Sequence, residues 1–134
     1  MSASMKACVL CCSDGRLGPW LFGFLTKNSL LGHSDLLILP GGGISLVHGS
    51  WWRRLLCRWL IVSWLRLLQA LHSWETLYVF HHEDCGAAGG SAAFDYNIEE
   101  EHWHGVKIKF LENFLRRRLP GVSIKISYLP KNNW

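Results

Sequence analysis

The chain has no uncharged apolar run long enough to cross a bilayer. Its oiliest stretch, Trp51 to Trp74, is broken by Arg53, Arg54, Arg58 and Arg66, whereas a spanning helix needs about 20 consecutive apolar residues. No membrane partner is therefore expected. Met1 to Lys6 also lacks the charged start, apolar run and cleavage site of a secretory leader. The five cysteines are an odd number with no framework spacing, so reduced thiols in a cytoplasmic setting are expected rather than disulfides. Charge is scarce: 18% of residues are charged against 49% apolar, which is oily for a soluble monomer. The net charge of +4 comes largely from the four arginines above and from Arg116 to Arg118. Nucleic-acid binding would call for basic residues interleaved with exposed aromatics on one face. Arg116 to Arg118 instead suit the C-terminal end of a helix, where cations complement the macrodipole, and no nucleic-acid partner is expected. At 134 residues, the chain reads as a single domain covering 1–134.

What is present is a regular alternation of strand and helix. Lys6 to Cys12 reads as a short buried strand ending at a Ser-Asp-Gly turn, and Asp35 to Leu39 as a second, stopped by Pro40-Gly41-Gly42-Gly43. Thr76 to His81 is a third and Ser123 to Tyr128 a fourth. Helices are expected over Trp20 to Asn28, Trp51 to Ser73 and Glu99 to Leu119. Pro19 is well placed in the first turn of the first helix. The last has Asn97 as a plausible N-cap, three glutamates in its first turn and Pro120-Gly121 as its stop. The first three strands lack polar alternation, which points to a Rossmann-like α/β fold: a parallel sheet of about four strands with helices on both faces. An order of 2-1-3-4 would make the first and third strands neighbours, with a ligand crevice at the switch point between their carboxyl ends.

Two motifs fall at those carboxyl ends, Cys12-Ser13-Asp14-Gly15-Arg16 and His82-Glu83-Asp84-Cys85-Gly86. Cys12, His82 and Cys85 offer two thiolates and an imidazole, a ligand set that zinc prefers, and three protein ligands leave a fourth position open for chemistry. Two thiolates and a neutral imidazole make a nearly neutral zinc centre, which acidifies water less than three histidines do. A carboxylate accepting the nucleophile's proton would fix its orientation, and a guanidinium would hold that carboxylate ionised. Asp14 and Arg16 are the candidates. Asp14, if released by Arg16, could instead become the fourth ligand. His81 has the opposite strand parity to His82 and is expected in the core or behind the ligands. Cys8 and Cys11 face opposite sides of a strand, so a shared redox or metal role is not expected of them. Cys8 and Cys57 read as buried structural cysteines.

The pairing of Cys-x-Asp-x-Arg with His-x-x-Cys-Gly resembles the beta-class carbonic anhydrases. The resemblance implies zinc-dependent hydration of carbon dioxide to bicarbonate, Asp14 and Arg16 as a catalytic dyad, and assembly as a dimer or a multiple of dimers. Where that family usually carries Arg-Asn-Ala-Gly after the second strand, this chain has Leu39-Pro40-Gly41-Gly42, and Gln69 is its only glutamine. The same ligand set also resembles hydrolases of carbonyl sulfide and carbon disulfide. Two readings of other classes are a non-catalytic zinc-stabilised dimeric module and a sulfurtransferase acting through Cys11, since Cys11 to Arg16 is similar to a rhodanese-type anion loop. On Trp51 to Ser73, the residues Arg54, Arg58, Arg66, Gln69, His72 and Ser73 share roughly a third of the circumference. Most of the rest is Trp, Leu, Ile or Val, and so wide an apolar arc is expected to form a homodimer interface. His33, His48, His102 and His104 read as surface histidines with no assigned role.

Overall fold

The computed structural model describes residues 3–134. Four strands, β1 (Ala7–Cys12), β2 (Ser34–Leu39), β3 (Thr76–His82) and β4 (Ser123–Leu129), alternate with three helices, α1 (Gly18–Lys27), α2 (Trp51–His72) and α3 (Asn97–Arg118). The strands form one parallel sheet in the order β2-β1-β3-β4. This is the Rossmann-like α/β arrangement and the strand order that the alternating pattern predicts. From β1 the chain crosses one way to β2 and then back past β1 to β3. The switch point therefore lies between β1 and β3, where the connections leave the carboxyl ends open.

Strand parity sorts the core into two layers. Cys8 and Leu10 of β1, with Leu77 and Val79 of β3, pack under α2 and α3 against Leu65, Leu111 and Leu115. Val9 and Cys11 face the other way, toward Leu17 and Leu25 and the half-buried Trp20 and Phe24. Cys8 and Cys11 thus lie on opposite faces, as their spacing implies. Leu65, Leu77, Leu111 and Leu115 are fully buried, so truncating one to alanine removes about 2–5 kcal/mol.

Several local expectations are corrected. The second strand is not buried on both faces: Leu36 and Ile38 are 48% and 40% exposed, because α1 packs over β1 and β3 and leaves the β2 edge uncovered on that side. Asn97 is not the N-cap of α3. Tyr96 holds that position and no side chain caps it. Glu100 lies in the first turn of α3 as expected, but it is fully buried and accepts from the Asp84 N–H and the Ser91 hydroxyl instead of facing solvent. His104 is likewise buried, not a surface residue. Cys57 is half-buried, packed at the margin of the core.

The helix α2 is attached by its polar third. Arg58 Nε donates to the Leu46 carbonyl at 2.8 Å, Arg66 reaches the Arg118 carbonyl at 3.0 Å, and His72 Nδ1 meets Asp35 at 2.8 Å. Only Ile61, Val62 and Leu65 of α2 are buried. The wide apolar arc consequently faces outward. Among the described residues, no helix is long and apolar enough to cross a membrane.

Candidate metal centre

The carboxyl ends of β1 and β3 present the two motifs to each other. Cys12 is the last residue of β1 and His82 the last of β3. Asp84 adopts a left-handed φ of 58°, which turns the chain sharply enough to bring Cys85 back beside His82. One donor atom from each of Cys12, His82 and Cys85 lies within 4.8 Å of the other two. Donors on a tetrahedral zinc, with bonds of about 2.0–2.3 Å, sit roughly 3.5 Å apart, so a small closure suffices.

The histidine is already set for ligation. Its Nδ1 donates to the Glu83 carbonyl at 2.8 Å, which fixes the proton on that nitrogen and leaves the lone pair on Nε2. Nε2 is buried and has no hydrogen-bond partner. A buried ring nitrogen beside two sulfurs is a donor set that could hold a metal ion. The thiols agree. Cys12 is held well below the ordinary thiol value, to about 4, chiefly by the Cys85 thiol and, against the cost of burial, by the His82 ring and the Gly41 N–H. Cys85 is pushed up because Cys12 shares its proton. A cation bound between them would displace that shared proton.

Gly41 explains why glycines follow β2. Its backbone N–H donates to Cys12 Sγ at 3.3 Å, and it adopts a φ of +76°. A Cβ on Gly42 would stand 3.0 Å from the backbone of Cys11 and Cys12. The Pro40–Gly43 segment that reads as a strand stop is therefore also the surface pressed against Cys12.

Asp14 and Arg16 come together as expected. Arg16 clasps the Asp14 carboxylate through Nε at 3.0 Å and Nη2 at 2.6 Å, and its own backbone N–H donates to the same group at 3.0 Å. The side-chain hydrogen bond from Arg16 holds the Asp14 carboxyl below the usual carboxylate range. Asp14 and Cys12 line one cleft of about 430 Å³ with Pro40, Gly41, Ala87 and Arg53.

Sequence spacing alone gives no signal for the rest of this network. Asp84, which reads as a spacer between His82 and Cys85, accepts from Arg16 Nη1 at 3.0 Å, pairs with Lys131 at 3.1 Å and accepts the Ser91 N–H at 2.9 Å. Glu100 accepts the Asp84 N–H at 2.7 Å and the Ser91 hydroxyl at 2.8 Å. The Trp134 ring lies 5.3 Å from the Arg16 guanidinium and 5.6 Å from His82. The Arg16 contact that ties Asp84 to the dyad spans 68 residues of sequence.

Cys11, the candidate sulfur carrier, is fully buried and its thiol is pushed up to about 11, first by burial. That environment disfavours a nucleophilic thiolate. His81 is buried against His104, with ring centroids 5.6 Å apart, matching its expected inward orientation. Comparison with known proteins finds no matching family model, no matching curated protein and no matching solved structure.

Proposed function

We propose that this protein is a zinc enzyme that hydrates carbon dioxide to bicarbonate, with Cys12, His82 and Cys85 as metal ligands and Asp14 and Arg16 as an orienting dyad. The observation that carries this reading is an arginine-clamped carboxylate, Asp14, on the cleft lined by Cys12, which is one of three donors gathered within 4.8 Å of one another. Two thiolates and an imidazole suit zinc, which when bound supplies the Lewis acidity that makes water nucleophilic near neutral pH.

The chain's own residues do the rest. Asp14, kept ionised by Arg16, accepts a hydrogen bond from the nucleophile and so fixes the direction of its lone pair. Arg16 engages both carboxylate oxygens, which keeps Asp14 from turning toward the cysteines as a fourth ligand. Pro40, Gly41 and Ala87 give the cleft an uncharged wall suited to a linear apolar substrate, and Arg53 brings a cation to its rim.

Stopped-flow hydration assays on zinc-quantified protein, scanned over roughly pH 7 to 9, test the proposal. Activity should rise with pH and fall on the order of 10²-fold in Asp14→Asn, with zinc content unchanged. One zinc per chain without hydration anywhere in that range would overturn the anhydrase reading. Turnover of carbonyl sulfide by the same protein would then assign it to sulfur-containing triatomics.

A further inference from the structure

We infer that α2 is a docking face for an anionic lipid surface. The helix is inverted relative to an ordinary surface helix. Ile61, Val62 and Leu65 and several polar side chains fasten it to the domain, while Trp52, Leu55, Leu56, Trp59, Trp64, Leu67 and Leu71 are each 40–68% exposed. At 3.6 residues per turn these seven occupy about half of the circumference, roughly opposite the buried Ile61, Val62 and Leu65. A contiguous apolar face of this kind marks an interaction site rather than scattered surface leucines.

Charge selects the occupant. The helix α2 contains four arginines and no aspartate or glutamate. Among the described residues, none of Arg53, Arg54, Arg58, Arg66 and Arg118 pairs with a carboxylate. Beside the apolar face, a groove of about 240 Å³ runs between α2 and α3, where Arg58, Arg66 and Arg118 converge around Leu55, Trp59 and Phe114. Burial, and then the nearby cations Arg54 and Arg118, make Arg58 costly to keep charged. Such a cluster lacks its counter-ion. A second copy would bring the same arginines and no acids on its own α2, so it would leave the cluster uncompensated. An acidic phospholipid supplies both missing halves: phosphate for the arginines and acyl chain for the Trp and Leu side chains. Trp, Leu and Arg on one helix are also the side chains that settle at a bilayer interface without spanning it.

The test is co-sedimentation of the full chain with vesicles of phosphatidylcholine alone or with phosphatidylserine added. Binding should require phosphatidylserine and weaken when salt rises from about 0.1 M to about 0.5 M. Removing charge in Arg66→Gln and Arg118→Gln should weaken it roughly fivefold per arginine. Leu56→Ser with Trp59→Ser, both at exposed positions, should abolish it while circular dichroism and zinc content stay unchanged. Equal binding to both vesicle types, or to neither, would overturn the inference. A stable dimer by light scattering, lost in Leu56→Ser and accompanied by no vesicle binding, would give this face to a second copy instead. Because zinc content and hydration are read separately, failure here leaves the enzymatic proposal standing.

Discussion

Cys12 stands at the meeting point of three local effects: a strand end, a glycine N–H aimed at its sulfur, and a neighbouring thiol that shares a proton with it. The shared proton first, then the His82 ring and the glycine N–H, hold its thiol well below the ordinary value, whereas burial pushes Cys8 to about 12 and Cys11 to about 11. Since the thiolate is the reactive form, iodoacetamide at neutral pH should alkylate Cys12 first in the metal-free protein and leave Cys8 and Cys11 untouched while the chain is folded. Added zinc should protect Cys12 and Cys85 together. Peptide mass mapping checks both points, and labelling of Cys12 that ignores zinc would remove it from the ligand set. The clustered Cys12, His82 and Cys85 were legible in sequence because each belongs to a short motif at a strand end. Asp84, Glu100 and Trp134 were not, since nothing near them in sequence shows that they converge on Arg16 or on each other.

At the scale of elements, the connection after β2 matters most. A Cβ at Gly42, where φ is +51°, would meet the β1 backbone at 3.0 Å. Gly42→Ala should therefore cost about 1–3 kcal/mol in urea denaturation and weaken zinc binding by displacing Cys12. Gly23 in α1 makes the contrast, because a Cβ there meets nothing within 4 Å. Gly23→Ala should stabilise by roughly 0.5–1 kcal/mol. Equal effects at both positions would show that the glycines act through helix propensity alone. Element identities followed from apolar runs and turn residues. The cap of α3 did not, because the helix begins at Asn97 with Tyr96 as its N-cap while tertiary contacts turn Glu100 inward.

For the whole molecule, His81 and His104 couple stability to pH. Both are buried without hydrogen-bond partners, with the buried Glu100 carboxylate 4.0 Å from His104 Nε2, and burial first, then neighbouring histidines, pulls them from 6.5 to about 3 and about 4. Between about pH 6.5 and those values the unfolded chain binds more protons than the folded one. Stability is complete above that window and falls with pH inside it, by about 1.4 kcal/mol per pH unit for each histidine. Urea midpoints of the metal-free protein should drop from pH 7 to pH 5, and roughly half as steeply in His104→Leu. A flat profile would mean that the rings are already solvated or paired. The sequence by itself determined the parallel α/β sheet, its strand order and the gathering of Cys12, His82 and Cys85, because periodicity, turn residues and strand-end motifs are short-range signals. Only the tertiary structure decided which side of α2 meets water, which histidines are buried, and that Asp84 shares Arg16 with Asp14. Those outcomes depend on how the layers pack across the sheet, and packing joins residues whose separation in sequence carries no periodic signal.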